Sequence, residues 1–145
     1  MKWVTRVNPH VDRCASMWLI QKFIDPKAKF AFVPREYKWK DDEIPLVLPG
    51  AELSPKEGKS AFELIIAKYQ IEDPIVHQIA KIIHDIEQAE NSGIYHLPES
   101  KGIFIVMRGI DPSSQDDHET LKTALKVMDA IYTFLQKTTQ GEKLS

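Results

Sequence analysis

The segment WVTRVNPHVDRCASMWLIQKFIDPKAKFAFV, residues 3–33, contains a strand, a helix and a second strand in succession. Residues 3–7 favour extended structure, and Asn8 is kept out of the helical region because it precedes Pro9. From about residue 11 to residue 23 or 24, apolar side chains recur every three or four positions, which is typical of a helix with one buried face. Lys29–Val33 is predicted as a second short strand. The segment therefore predicts a βα unit of a small mixed sheet.

The remaining sequence predicts one further strand and then mostly helices. Ile44–Leu48 is the third strand, and Pro45 favours a position at the sheet edge. Residues 35–42 fit either a loop or an exposed strand. A helix is expected to begin at Ser60, because Glu63 lies three residues later as a capping-box partner.

Three more helices are expected towards the C-terminus. They run from Asp73-Pro74 to about Ala89, from Pro98 to about Gly109, and from the end of the polar run 111–117 onwards. The fold class is α+β, with about three N-terminal strands packed against four to five helices that are mostly C-terminal. Residues 1–136 are predicted to form a single domain, and residues 137–145 a frayed tail.

Composition and charge exclude several classes of protein. The chain has 145 residues, 43% of them hydrophobic, and a net charge of −2. Nonspecific nucleic-acid binding needs a surplus of Lys and Arg, so no direct nucleic-acid partner is expected. The apolar runs are far shorter than a membrane span, and no signal-peptide core is visible. With one cysteine and no such segments, the sequence predicts a cytoplasmic protein without a membrane partner.

Common enzyme signatures are absent from the sequence. It contains no glycine-rich phosphate loop, no C-x-x-C, no H-E-x-x-H and no G-x-S-x-G. The remaining candidates for chemistry are polar residues at the boundaries of the predicted elements.

The first group of candidates lies where the first strand passes into the first helix. His10 and Asp12 are a possible metal-ligand pair, since imidazole and carboxylate suit zinc, iron or manganese. Arg6 and Arg13 offer forked donors for an oxyanion near a helix N-terminus. The ordinary explanation is that Asp12 caps the helix while Arg13 forms a surface ion pair.

The second group lies on the later helices. His84 and Asp85 are adjacent to an isoleucine-lined face and are candidate metal ligands, and His118 is a further one before the last helix. The ordinary explanations are a solvated helix end and N-terminal capping. Glu52 and Glu63 are candidate general bases if the domain is an enzyme, although Glu63 also suits the capping box.

The sequence resembles the C-terminal domain of chromate-resistance proteins of the ChrB type. The resemblance is carried by WVTR at 3–6, PHVDR at 9–13, WLI at 18–20, FIDP at 23–26, PGAELS at 49–54, FE at 62–63, DP at 73–74, IIHDIE at 82–87, PESKGI at 98–103, DDH at 116–118 and DAIY at 129–132. It covers nearly the whole chain. Larger members of this family are regarded as chromate-responsive regulators, so the resemblance implies a ligand- or metal-responsive domain.

The sequence departs from the family pattern at three positions. Many members have a histidine after the Glu-Leu-Ser segment and a cysteine before the Phe-Glu pair, where this chain has Pro55 and Ala61. An aspartate that often follows the His-Asp pair is replaced by Glu87. These changes imply either a lost function or a different set of ligands.

Three hypotheses follow for the function. The first is a binding or sensing domain for a metal ion or small oxyanion, linked to chromate or related stress and holding one divalent Zn, Fe or Mn. The second is a metal-dependent enzyme, and the third is a structural or partner-binding domain with vestigial ligands. Tyr37 and Trp39 are candidates for a homodimer interface.

Overall fold

Three parallel strands form the sheet in the computed structural model, which describes residues 1–113 and 116–139. The central strand is β1 (Lys2–Arg6), with β2 (Lys29–Val33) on one side and β3 (Glu43–Leu46) on the other. The α+β class with three N-terminal strands is confirmed, and Pro45 lies on an edge strand as predicted. The expected mixed sheet is instead purely parallel, because both β1–β2 and β1–β3 pairs run in the same direction.

The helix after β1 is the most deeply buried element. It comprises α1 (Val11–Leu19) and a π-helical turn over Ile20–Ile24, so the predicted helical extent is confirmed. All nine residues of α1 are buried, and the helix contacts α2, α3, α4 and α5, defined below. Polar side chains on α1 must therefore find partners inside the protein.

The third strand ends earlier than predicted. It stops at Leu46 rather than Leu48, because Val47 has a φ of 54°, outside the extended region. The chain then turns, and the Val47 N–H donates to the carbonyl oxygen of Leu53 at 2.9 Å. The undecided segment 35–42 contains no strand or helix and connects β2 to β3.

Two helices begin where local capping signals predict them. Helix α2 (Ala61–Tyr69) has Ser60 as its N-cap, in a complete capping box with Glu63. Helix α3 (Pro74–Ser92) begins after Asp73, whose side chain accepts hydrogen bonds from two backbone N–H groups of the first turn. It ends at Gly93, in the left-handed conformation with φ 73°.

The last two helices differ from the predicted boundaries. Helix α4 runs over Ser100–Ser113, so it neither begins at Pro98 nor stops at Gly109. It continues because Ile110 is buried in the core. Helix α5 runs over Asp117–Thr139, three residues into the segment predicted as a frayed tail, and residues 140–145 lie outside the described part. No helix of the described residues is long and apolar enough to cross a membrane.

The two faces of the sheet pack against different parts of the chain. Trp3 lies on the face that joins the main helical core. Val4 lies on the opposite face and packs in a smaller cluster with Val33 and Leu48. Tyr37 and Trp39, the candidate dimer residues, are partly buried against this smaller cluster. The segment between β2 and β3 thus covers the face that no helix covers.

Phe62→Ala is expected to lower the free energy of unfolding by about 3–5 kcal/mol, because the substitution leaves a cavity in a fully buried position. The same substitution at Phe134, which is 52% exposed, serves as the control and should change it by less than about 0.5 kcal/mol. Urea denaturation of both variants measures the difference. Equal effects would contradict the assignment of Phe62 to the core.

Candidate functional site

Asp12 connects the buried helix α1 to the N-terminus of α2. Its Oδ2 accepts a hydrogen bond from the Ala61 N–H at 2.8 Å, and its Oδ1 accepts one from the Phe62 N–H at 3.1 Å. Asp12 therefore does not cap its own helix, whose N-cap is His10. It satisfies two of the free N–H groups of α2, where negative charge is favoured by the helix dipole. Burial nevertheless raises the pKa of the Asp12 carboxyl.

A cavity of about 270 Å³, here called the α2 cavity, lies at the N-terminus of α2 against α3. Glu87 on α3 is half-buried in its wall and forms no hydrogen bond or ion pair with the described residues. Burial, followed by repulsion from the charges of Asp12 and Glu90, raises the pKa of Glu87 to about 8. The other principal lining residues are Pro55, Lys56, Lys59, Ser60 and His84.

The imidazole of His84 is held in place by Glu63. Its Nδ1 donates to Oε1 of Glu63 at 3.0 Å, and the same oxygen accepts from the N–H and hydroxyl of Ser60 at 3.0 and 3.1 Å. A histidine that donates one ring N–H to a carboxylate is oriented with its other nitrogen available, the arrangement seen in many metal sites. Glu63 is occupied by these contacts rather than placed as a free general base.

Asp85 has a structural role in the connection between α3 and α4. Its oxygens accept hydrogen bonds from the N–H groups of His96 and Leu97 at 2.8–3.0 Å and lie 3.2 Å from Nδ1 of His96. Burial would raise the pKa of this carboxyl, but the Ser100 hydroxyl and the two backbone N–H groups hold it well below its usual range. Asp85 therefore fixes the 96–97 turn.

A second and larger cavity, of about 540 Å³, adjoins His84 on the other side. His77, His84 and His96 all contribute to its walls. His77, seven residues before His84 on the same helix, donates from Nε2 to the carbonyl oxygen of Ile71 at 2.8 Å. The sequence analysis left His77 and His96 out, although a spacing of seven residues places His77 and His84 on one helix face.

The arginines at the end of β1 have different environments. Arg13 is buried, and its guanidinium donates to the carbonyl oxygens of Arg6, Val7 and Asn8. The expected surface ion pair of Arg13 is therefore wrong, since the side chain holds the turn between β1 and α1. Arg6 is exposed and lines a separate cavity together with Arg35, which the sequence analysis did not single out.

The remaining candidates lie apart from the α2 cavity lining. His118 packs edge-on against Phe32 of β2, with ring centroids 4.9 Å apart. Glu52 forms an ion pair with Lys68 at 2.8 Å, and the hydrogen bond from Lys68 lowers the pKa of the Glu52 carboxyl. A lowered pKa makes Glu52 a weaker base.

The five expected metal ligands are not gathered into one group. Within residues 1–113 and 116–139, no three His, Cys, Asp or Glu side chains are arranged to hold a metal ion. His84 and Glu87 do line the same cavity, and Asp12 lies close behind Glu87. Glu87 carries the clearest signal that the sequence analysis did not use, because its burial follows from the packing of α3.

Comparison with known proteins places these features in a family. The family described as ChrB, C-terminal domain, matches residues 3–135. The curated Protein ChrB of Cupriavidus metallidurans is 29% identical over 133 residues, which cover 91% of this chain and 40% of that protein. The chain thus spans less than half of that relative's length. No solved structure matches the chain.

Asp12→Ala is expected to lower the free energy of unfolding by about 2–3 kcal/mol, because it leaves two N–H groups of α2 without their acceptor. Guanidinium denaturation in metal-free buffer measures the change. Asp116→Ala is the control, because Asp116 is exposed and accepts only at the start of α5. An effect of Asp12→Ala no larger than that of the control would contradict the anchoring role.

Glu87→Gln is expected to stabilise the protein at alkaline pH relative to the parent. The pKa of Glu87 in the folded protein, about 8, lies above its ordinary value of 4.5. The folded state therefore binds this proton more tightly, so the parent loses stability as the pH rises from the ordinary pKa through the raised one. The difference should reach on the order of 1–3 kcal/mol above about pH 8, after allowance for partial exposure.

Denaturation of the parent and of Glu87→Gln at about pH 5 and about pH 9, with chelator present, checks this linkage. Glu72→Gln removes an exposed carboxylate from the turn before α3 and is the control. A constant difference between the parent and Glu87→Gln across this range would show that Glu87 is not raised.

Proposed function

Because the chain belongs to the ChrB C-terminal domain family, we propose that it is a metal-responsive domain related to chromate-resistance proteins and binds a divalent cation in the α2 cavity. Zinc, iron and manganese are the ions whose chemistry suits imidazole and carboxylate donors. The proposed donors are His84 and Glu87, with Asp12 as a buried negative charge behind them.

The observation that carries the proposal is the environment of Glu87. Its carboxyl is half-buried, lies near the buried carboxyl of Asp12, and has no hydrogen-bond or ion-pair partner among the described residues. Buried carboxyls are normally paired or coordinate a metal. A cation in the cavity would offset both the desolvation of Glu87 and its repulsion from Asp12.

His84 complements Glu87 as a donor. The two residues are three positions apart on α3, so they are neighbours on one helix face, and both line the α2 cavity. The hydrogen bond from Nδ1 of His84 to Glu63 leaves Nε2 as the coordinating nitrogen. Two protein donors hold a metal weakly, and water would complete its coordination, which is consistent with the absence of a three-residue group in the described part of the chain.

The positions at which the sequence departs from the family pattern lie around this same cavity. Pro55 lines it together with His84 and Glu87. Ala61 is buried at the first position of α2 and donates its N–H to Asp12. A histidine at 55, as the resemblance implies for many relatives, would add an imidazole to the cavity wall. The departures therefore support a weakened version of a family site.

The charge of the cavity favours a cation over an anion. An anion at the N-terminus of α2 would need its free N–H groups, but Asp12 already occupies those of Ala61 and Phe62. Lys56 and Lys59 also line the cavity, but both are exposed and neither forms an ion pair with Glu87. The buried part of the wall is therefore negative.

Zinc titration by calorimetry tests the proposal, with Mn²⁺ as the harder ion. The parent should bind one Zn²⁺, and His84→Ala and Glu87→Gln should each weaken binding about 10–100-fold through loss of a donor. Pro55→His should strengthen binding by a similar factor, because it adds a third donor.

His77→Ala is the matched control, because it removes an imidazole from the same helix face that does not line the α2 cavity. Its zinc affinity should equal that of the parent. Unchanged binding in His84→Ala and Glu87→Gln would place the metal elsewhere. Absence of any gain in Pro55→His would contradict the proposed position of the ion.

A further inference from the structure

A separate cavity lies at the carboxyl ends of β1 and β3. It has a volume of about 270 Å³ and is here called the arginine cavity; its lining includes Arg6, Arg35, Val47, Pro49, Gly50 and Ser54. Arg6 is the last residue of β1, and Val47 directly follows β3. In open parallel sheets, ligands bind outside the carboxyl ends of the strands.

The two arginines of this cavity have no anionic partner. Within the described ranges, the guanidinium groups of Arg6 and Arg35 form neither a hydrogen bond nor an ion pair, and no carboxylate lines the cavity. The guanidinium is a planar, permanently charged donor whose geometry matches oxyanions. Two such groups around one concave site form an arrangement that an anion would complete.

A third arginine adds positive charge behind the cavity. The buried guanidinium of Arg13 donates to the backbone carbonyl of Arg6, and burial, followed by repulsion from Arg6, lowers the pKa of Arg13. Asp117 acts on Arg13 in the opposite direction. A bound anion would offset the repulsion between the two arginines.

The wall opposite the arginines is formed by a constrained turn. Val47, a β-branched residue, has a φ of 54°, which is a strained conformation for that side chain. Gly50 has a φ of 84°, and the Ser54 hydroxyl donates to the carbonyl oxygen of Leu48 at 3.1 Å. These contacts hold Ser54 and the turn in place beside Arg6.

We propose that the arginine cavity is a binding site for a small tetrahedral oxyanion, held by the guanidinium groups of Arg6 and Arg35. This site goes beyond the proposed cation site and uses none of its residues. It revises the predicted anion pair, because Arg35 replaces Arg13 as the second contacting group.

The oxyanion has two possible sources. A neighbouring cavity of about 440 Å³ shares Arg35 and Pro49 with the arginine cavity and is also lined by Tyr37 and Trp39. This aromatic wall would accommodate the body of an organic molecule that carries the oxyanion group. The shared chemistry is therefore an oxyanion, either free or as a phosphate ester.

Calorimetric titration with inorganic phosphate and sulfate at low ionic strength tests the site. The parent should bind either probe with a Kd below about 1 mM, and Arg6→Gln and Arg35→Gln should each weaken binding about tenfold or more, through loss of a charge-assisted hydrogen bond. Arg108→Gln removes an exposed arginine from α4 and should leave binding unchanged.

Phenyl phosphate distinguishes the two sources. If it binds about tenfold more tightly than inorganic phosphate and Trp39→Ala removes that advantage, the ligand is a phosphate ester. Equal affinities indicate a free oxyanion, and the site stands in either case.

Three results would overturn the site. These are no saturable binding by the parent, unchanged binding in both Arg6→Gln and Arg35→Gln, or an equal loss in Arg108→Gln. Zinc binding of the Arg6 and Arg35 variants should match that of the parent, so failure here is distinguishable from failure of the cation site.

Discussion

The burial of α1 on all sides is the constraint on which the rest of the structure depends. A helix enclosed by four others leaves no solvent for its polar side chains, so each must bond to another part of the chain. Asp12 meets this requirement by accepting from the first N–H groups of α2, 49 and 50 residues away in sequence. Arg13 meets it by donating to the carbonyl oxygens of the turn that precedes α1. Two adjacent residues thus fix the position of the next helix and the shape of the preceding loop.

These two buried charges also determine the electrostatics of the two cavities. Asp12 places negative charge behind the α2 cavity, where it disfavours ionisation of Glu87. Arg13 places positive charge behind the arginine cavity, beside Arg6. Because the interior screens charges less than water does, each buried group acts strongly on its neighbour. One helical turn therefore gives opposite preferences to two ends of the molecule, a cation at one and an anion at the other.

Local signals were sufficient to predict the helix starts but not the long-range contacts. The capping box at Ser60 and the Asp73-Pro74 pair act within a few residues, so their helices begin where the sequence indicates. Helix α4 passes Gly109 because Ile110 packs in the core, which is a tertiary effect. For the same reason, Asp12 could be identified as important while its bonding partner could not. Arg35 escaped notice because only folding brings it beside Arg6.

The departures from the family pattern bear on how much of the original chemistry this chain retains. If the domain had become purely structural, Glu87 would be free to change to a residue that avoids the cost of a half-buried carboxyl without a partner. The chain instead keeps a carboxyl at that position and an oriented imidazole at His84, while Pro55 and Ala61 offer no ligand atom in their side chains. Retaining two donors while lacking the others lowers the affinity for a metal without removing the site. A domain of this kind would exchange its ion readily, and exchange is what a responsive site requires.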